Sequence, residues 1–188
     1  MGYFSRTYGT DGGTTVGTLS NGGEKWVDEA NTTLEDSTYG YCKASGNYSE
    51  YLDYRGMAGY GTPWANNTVI TGVELWALGY SEGGPDNHEC YSVYLAVDGV
   101  QEGNDIGPTG LYLPELDQLA WVPIAGGDGE MLGLSSDQIK AYTNNKKMGH
   151  LVAFNDTGGV GGSIFIDDMR LVIYYDVFKT HSLLGCGL

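Results

Sequence analysis

Between Ile164 and Tyr175 the chain reads Ile-Phe-Ile-Asp-Asp-Met-Arg-Leu-Val-Ile-Tyr-Tyr. Side chains in a strand alternate with period two, so Met169, Leu171, Ile173 and Tyr175 share one side while Val172 and Tyr174 take the other. A strand apolar on both sides is buried on both or lies against a stacked sheet. Val69–Leu78 is the next clearest strand, with Val73, Leu75 and Ala77 toward the core and Glu74 outward. In Tyr91–Val97, Val93, Leu95 and Val97 share a face, and Asp98-Gly99 closes the segment with a hairpin signal. Asp36–Cys42, with Tyr39 and Tyr41 on one face, Tyr48–Tyr54 and Gly149–Phe154 complete the clear alternating runs. One short helix is predicted over Ser135–Tyr142, capped by Ser135 or Ser136, with Asp137 near the positive end of its dipole. Residues 99–118 read as irregular and 126–130 as a loop. Roughly eight short strands separated by Gly- and Asp-rich turns predict an all-β fold, an antiparallel two-sheet jelly-roll β-sandwich.

Composition refines the boundaries. The 188 residues suit one domain, and 31 Gly and 15 Tyr favour turns and half-buried strand positions over helices. Residues 1–25 are mostly Gly, Thr, Ser and Tyr and read as an extended N-terminal arm; the sandwich spans 26–176, and 177–188 is a C-terminal tail. A net charge of −15 repels phosphate backbones and anionic lipid, so nucleic acid and membrane surfaces are disfavoured as partners. No signal-peptide-like run opens the sequence, which implies synthesis in a cytosol and gives the Asn-X-Ser/Thr sequons at Asn31, Asn47, Asn66 and Asn155 little meaning.

Candidate chemistry is sparse. Asp167 and Asp168 are adjacent on a strand and point to opposite faces, so they do not form a glycosidase-like pair; they are expected to serve turns and to pair with Arg170. His88, His150 and His181 are isolated from any nucleophile motif, and Gly158–Gly162 lacks the Lys of a phosphate loop. No catalytic residue is assigned. Hard oxygens at Asp98, Asp105, Asp128 and Glu130 are weak calcium candidates, solvated turn acids being the commoner reading of such residues. Trp64, Trp76 and Trp121 raise a sugar-stacking alternative to core or interface placement. Cys42, Cys90 and Cys186 have no zinc spacing; a Cys42–Cys90 disulfide is open, as is an intermolecular one through Cys186. Tyr3, Phe4, Leu183, Leu184, Cys186 and Leu188 in the two terminal segments are candidate interface residues, the leucines forming an apolar cluster that docking on a neighbour would cover.

Several of these landmarks occur together in a recognisable order. Trp26, Asn31, Asp36, Tyr39 and Tyr51-Leu52, then Pro63 and Ile70-Thr71-Gly72-Val73-Glu74-Leu75, resemble the opening of a jelly-roll domain of tailed-bacteriophage virion proteins. Val93-Tyr94-Leu95, Gly126-Gly127 leading to Met131-Leu132-Gly133-Leu134, and Ile166–Tyr175 resemble its later parts, so the likeness covers about residues 26–176. Two departures are Met131, where that family commonly has an aromatic, and Tyr41-Cys42, which replace small residues. The resemblance implies a non-enzymatic structural protein of the virion, a capsid decoration or neck-associated subunit. Its partners would be major capsid or neck and tail subunits and further copies of itself. The alternative is a carbohydrate- or receptor-binding module of a tail or fibre. Terminal extensions that cross onto neighbours favour the first.

Overall fold

Eleven strands and one α-helix form among the described residues of the computed structural model, which are 3–10, 14–33, 35–43, 47–57, 63–83, 88–107, 110, 112–115, 118–144, 148–156 and 161–178. The strands are β1 (Tyr3–Tyr8), β2 (Thr15–Leu19), β3 (Trp26–Val27), β4 (Gly40–Cys42), β5 (Tyr51–Arg55), β6 (Thr68–Ser81), β7 (His88–Val97), β8 (Val100–Glu102), β9 (Ala120–Asp128), β10 (Met148–Asp156) and β11 (Ile164–Val177). The helix α1 spans Ser136–Thr143, and a 3-10 helix spans Glu29–Thr33. Strands hold 58% and helices 9% of these residues, as the alternating pattern requires.

Two antiparallel sheets result. The first runs β3-β4-β11-β6-β9, with β1 also paired to β11, and the second runs β2-β5-β10-β7-β8. Numbering β4 to β11 as one to eight gives orders 1-8-3-6 and 2-7-4-5, the interleaving of a jelly roll. Between the sheets lie Leu52, Tyr54, Val73, Leu75, Ala77, Val93, Leu95, Ile124, Val152, Phe154, Ile166, Met169, Leu171 and Ile173, all buried. Ser135 caps α1 in a reciprocal box with Gln138, and Asp137 stands in its first turn.

Four strands differ from the sequence reading. Residues 3–8 and 15–19 are laid along the chain's own sandwich, β1 on β11 and β2 on β5. Tyr8 is buried in the core, so the expected arm contributes a core residue. β9 escapes the alternation test because Pro123 and Gly126-Gly127 interrupt it. It is an edge strand, and a register shift falls at Pro123, which are the two places a sheet tolerates proline. β8 is a three-residue edge strand, reached through a two-residue turn whose Asp98 and Gly99 both have positive φ.

β11 is the spine of the first sheet. One of its edges pairs with β6 throughout, and the other pairs with β4 at Ile164–Ile166 and with β1 at Leu171–Asp176. The gap between those two partners coincides with a register shift against β6 between Ile166 and Asp168, so Asp167 is the extra residue of a bulge. The bulge moves the inward set from even to odd numbers: Ile164 and Ile166 precede it, Met169, Leu171 and Ile173 follow.

Candidate functional site

The outer face of the first sheet is the surface of interest. Cross-strand register aligns one row of apolar residues over four strands: Val27 opposite Tyr41, Tyr41 opposite Phe165, and Phe165 opposite Tyr80. Val27 is 41% and Tyr41 38% exposed, and Phe165 and Tyr80 are half-buried. The rings stack on one another along the row, Tyr41 on Phe165 at 5.9 Å and 26°, and Phe165 on Tyr80 at 4.7 Å and 13°. Those separations approximate the spacing between neighbouring strands of ~4.8 Å, so the rings stand upright on the sheet with their faces turned to each other. Tyr39 closes the cluster edge-on, 5.4 Å from Tyr80 and 6.2 Å from Phe165.

Further along the same face, Trp76 lies opposite Arg170, and Trp121 lies opposite Leu78. The Arg170 guanidinium sits 3.1 Å from the centre of the Trp121 ring, a cation–π contact that covers one of its faces. The Trp76 indole N–H donates to Glu74 Oε2 at 2.7 Å, and the Tyr174 hydroxyl donates to the same oxygen at 2.5 Å. Glu74, which the alternation points outward, is therefore held as an acceptor shared by Trp76 of its own strand and Tyr174 of β11.

Trp64 belongs elsewhere. It is 8% exposed, donates its N–H to Thr143 Oγ1 at 2.7 Å, carries the Arg6 guanidinium 3.9 Å above its ring and meets Tyr175 edge-on. It plugs one end of the sandwich, so the three tryptophans do not form one platform.

Asp167 and Asp168 fill the gap in the edge of β11. Asp167, fully buried, accepts from the backbone N–H groups of Asp36 and Ser37 at 3.4 and 3.2 Å. Asp168 accepts from the Thr10 hydroxyl and from the Met169 N–H. Burial raises the pKa of both carboxyls against these hydrogen bonds. Asp167 thus serves the Asp36–Ser37 turn as the sequence suggested, whereas Asp168 bonds Thr10 and Met169, and Arg170, expected to pair with these carboxylates, lies over the Trp121 ring. The simple alternation invoked for them fails, however, because a bulge sits between their neighbours.

The calcium candidates serve their own loops. Asp105 accepts from Ser92 Oγ at 2.6 Å, Val93 N at 2.8 Å and Gly107 N at 3.0 Å, fastening its loop to β7. Asp128 accepts from Thr71 Oγ1, Glu130 from Leu132 N, and Asp98 occupies the β7–β8 turn. Among the described residues, no three His, Cys, Asp or Glu side chains gather as metal ligands would.

Both Cys42 and Cys90 are buried free thiols, one in each sheet, so the Cys42–Cys90 disulfide is not formed. Burial, with Glu24 and Glu50 nearby, pushes the Cys42 thiol up to about 12, and burial also raises Cys90. Tyr3 joins β1 opposite Asp176, and Phe4 stacks on Tyr175 at 5.5 Å while remaining 45% exposed. Leu183, Leu184, Cys186 and Leu188 lie outside the described residues, as do His181 and Gly158–Val160.

The alternation in the sequence grouped Tyr39 with Tyr41 and the tryptophans with one another, but did not foresee the row Val27–Tyr41–Phe165–Tyr80. Strand pairing decides which residues of β3, β4, β11 and β6 are neighbours, and only the upright-aromatic alternation of Tyr39 and Tyr41 hinted at it. No protein-family model, curated protein or solved structure matches this chain.

Proposed function

We propose that the chain is a non-enzymatic structural subunit of a bacteriophage virion, of the capsid-decoration or neck-associated kind, that binds neighbouring subunits through the outer face of its first sheet. The registered row Val27–Tyr41–Phe165–Tyr80 carries this reading: it is a partly exposed apolar band on a molecule of net charge −15. The ordered landmarks from Trp26 to Tyr175 supply the virion context. Tyr41, a departure from the small residues of that pattern, is the ring that extends the row onto β4.

Ring orientation weighs against the sugar-binding alternative. Stacking on a pyranose needs an open aromatic face, whereas Phe165 is sandwiched between Tyr41 and Tyr80, and Arg170 lies over Trp121. Upright rings present edges, which pack well against apolar protein surface.

The test is particle incorporation. Particles purified from cells producing the chain should carry it through a density gradient, and Val27→Glu/Tyr41→Glu, both at exposed positions, should remain folded yet be lost from them. Absence of the wild-type chain from particles removes the virion reading; normal incorporation of the double variant removes the role of this face.

A further inference from the structure

We infer that the aromatic row receives the C-terminal segment, residues 179–188, of a second copy of this chain, so that copies join head to tail. This rests on the proposed assembly function and names the two surfaces that meet.

Chain length limits where the tail of one subunit can go. Val177 ends β11 and Phe165 lies near its start, twelve residues away, or about 40 Å along a strand. Leu183 follows Val177 by six residues and so extends at most about 20 Å from it. The paired leucines therefore fall short of the row of their own subunit, and their contact with a row is between copies.

The tail and the rim of the row also differ in charge. Lys179-Thr180-His181-Ser182-Leu183-Leu184-Gly185-Cys186-Gly187-Leu188 contains three leucines and a lysine and no acidic residue, in a chain with 24 Asp and Glu. Beside the row, Asp28 follows Val27, and Glu35 and Asp36 precede Tyr39; all three acids are exposed, against two exposed lysines, Lys25 and Lys43, on the β3–β4 side. A segment without acids meets this rim more favourably than a second acidic rim does, so tail on row is preferred over row on row. The two surfaces differ, which makes the contact heterologous; such contacts close into rings or run on as filaments.

The experiment uses full-length protein in analytical ultracentrifugation. Wild type should associate with rising concentration. The face variant Val27→Glu/Tyr41→Glu and the tail variant Leu183→Asp/Leu184→Asp should each remain monomeric with unchanged melting. An equimolar mixture of the two should form one-to-one dimers and nothing larger, because one intact tail then meets one intact face. A fluorescent peptide of residues 179–188 should bind the tail variant and bind the face variant at least tenfold more weakly. If the glutamates disturb folding, Tyr41→Ala serves in their place with the same peptide readout.

Association of the tail variant like wild type, with the face variant monomeric, overturns this inference but leaves the face as an interface. Association of the face variant like wild type overturns both. A wild-type chain that is monomeric throughout, or a mixture that yields no dimer, overturns the tail contact.

Discussion

His150 shows how one buried side chain sets a property of the whole fold. It is stacked 4.5 Å from the Tyr54 ring, its Nδ1 lies 3.1 Å from the Met57 sulfur, and its Nε2 has no hydrogen-bond partner among the described residues. Burial holds its pKa down at about 3, against 6.5 for a free imidazole. The folded state therefore binds fewer protons than the unfolded state between these values. Stability is full above the unfolded pKa and falls as the pH drops through that window. At pH 5 the loss relative to pH 7.5 is about 2 kcal/mol, from roughly 1.4 kcal/mol per unit. His88, also lowered by burial, acts in the same direction, while the raised carboxyls of Asp167 and Asp168 oppose it. Urea unfolding at the two pH values measures the slope, and His150→Asn should flatten it by about that amount. An unchanged slope would mean the imidazole is protonated inside the fold. Periodicity placed His150 on a strand, but the surroundings that neutralise it come from Tyr54 and Met57, nearly a hundred residues earlier.

At the scale of strands, β6 and β11 show what alternation reveals and what it hides. Their long apolar faces were legible, down to Val73, Leu75 and Ala77 pointing inward, because packing against a second sheet imposes period two. The bulge at Asp167 was not legible, since it follows from the discontinuous edge of β11, where β4 and β1 leave a gap that only the tertiary arrangement creates. Nor was the pairing of Glu74 with Tyr174, a hundred residues apart in sequence. Glu74→Lys leaves the Trp76 and Tyr174 donors facing an ammonium and should cost about 1–3 kcal/mol in urea unfolding. Glu74→Gln, which keeps one acceptor, should cost less. Leu75→Asp, on the inner face, should abolish folding. Full tolerance of Glu74→Lys would show that the cross-strand link contributes nothing.

At the scale of the molecule the two sheets are joined across an apolar core, with no disulfide among the described residues and Cys42 and Cys90 each confined to its own sheet. Reductant should therefore leave the melting temperature of the Cys186→Ser chain unchanged, and a thiol reagent should label neither Cys42 nor Cys90 until denaturant is added. A reductant-dependent melt in that variant would require a bond the structure lacks. The all-β class and the jelly roll were readable because strand length and turn spacing leave few other architectures. The aromatic row was not, because it is made by register. The order of strands has a consequence in time as well as in space. β10 and β11, which occupy the middle of the two sheets, are the last to be synthesised, and β1, β4, β5, β6 and β7 all wait for them. Until then the nascent chain carries unpaired strand edges and uncovered apolar faces, so folding is a late, long-range event in the slow class of β proteins. A chain that stops short of Ile164 is an aggregation hazard rather than a smaller working domain.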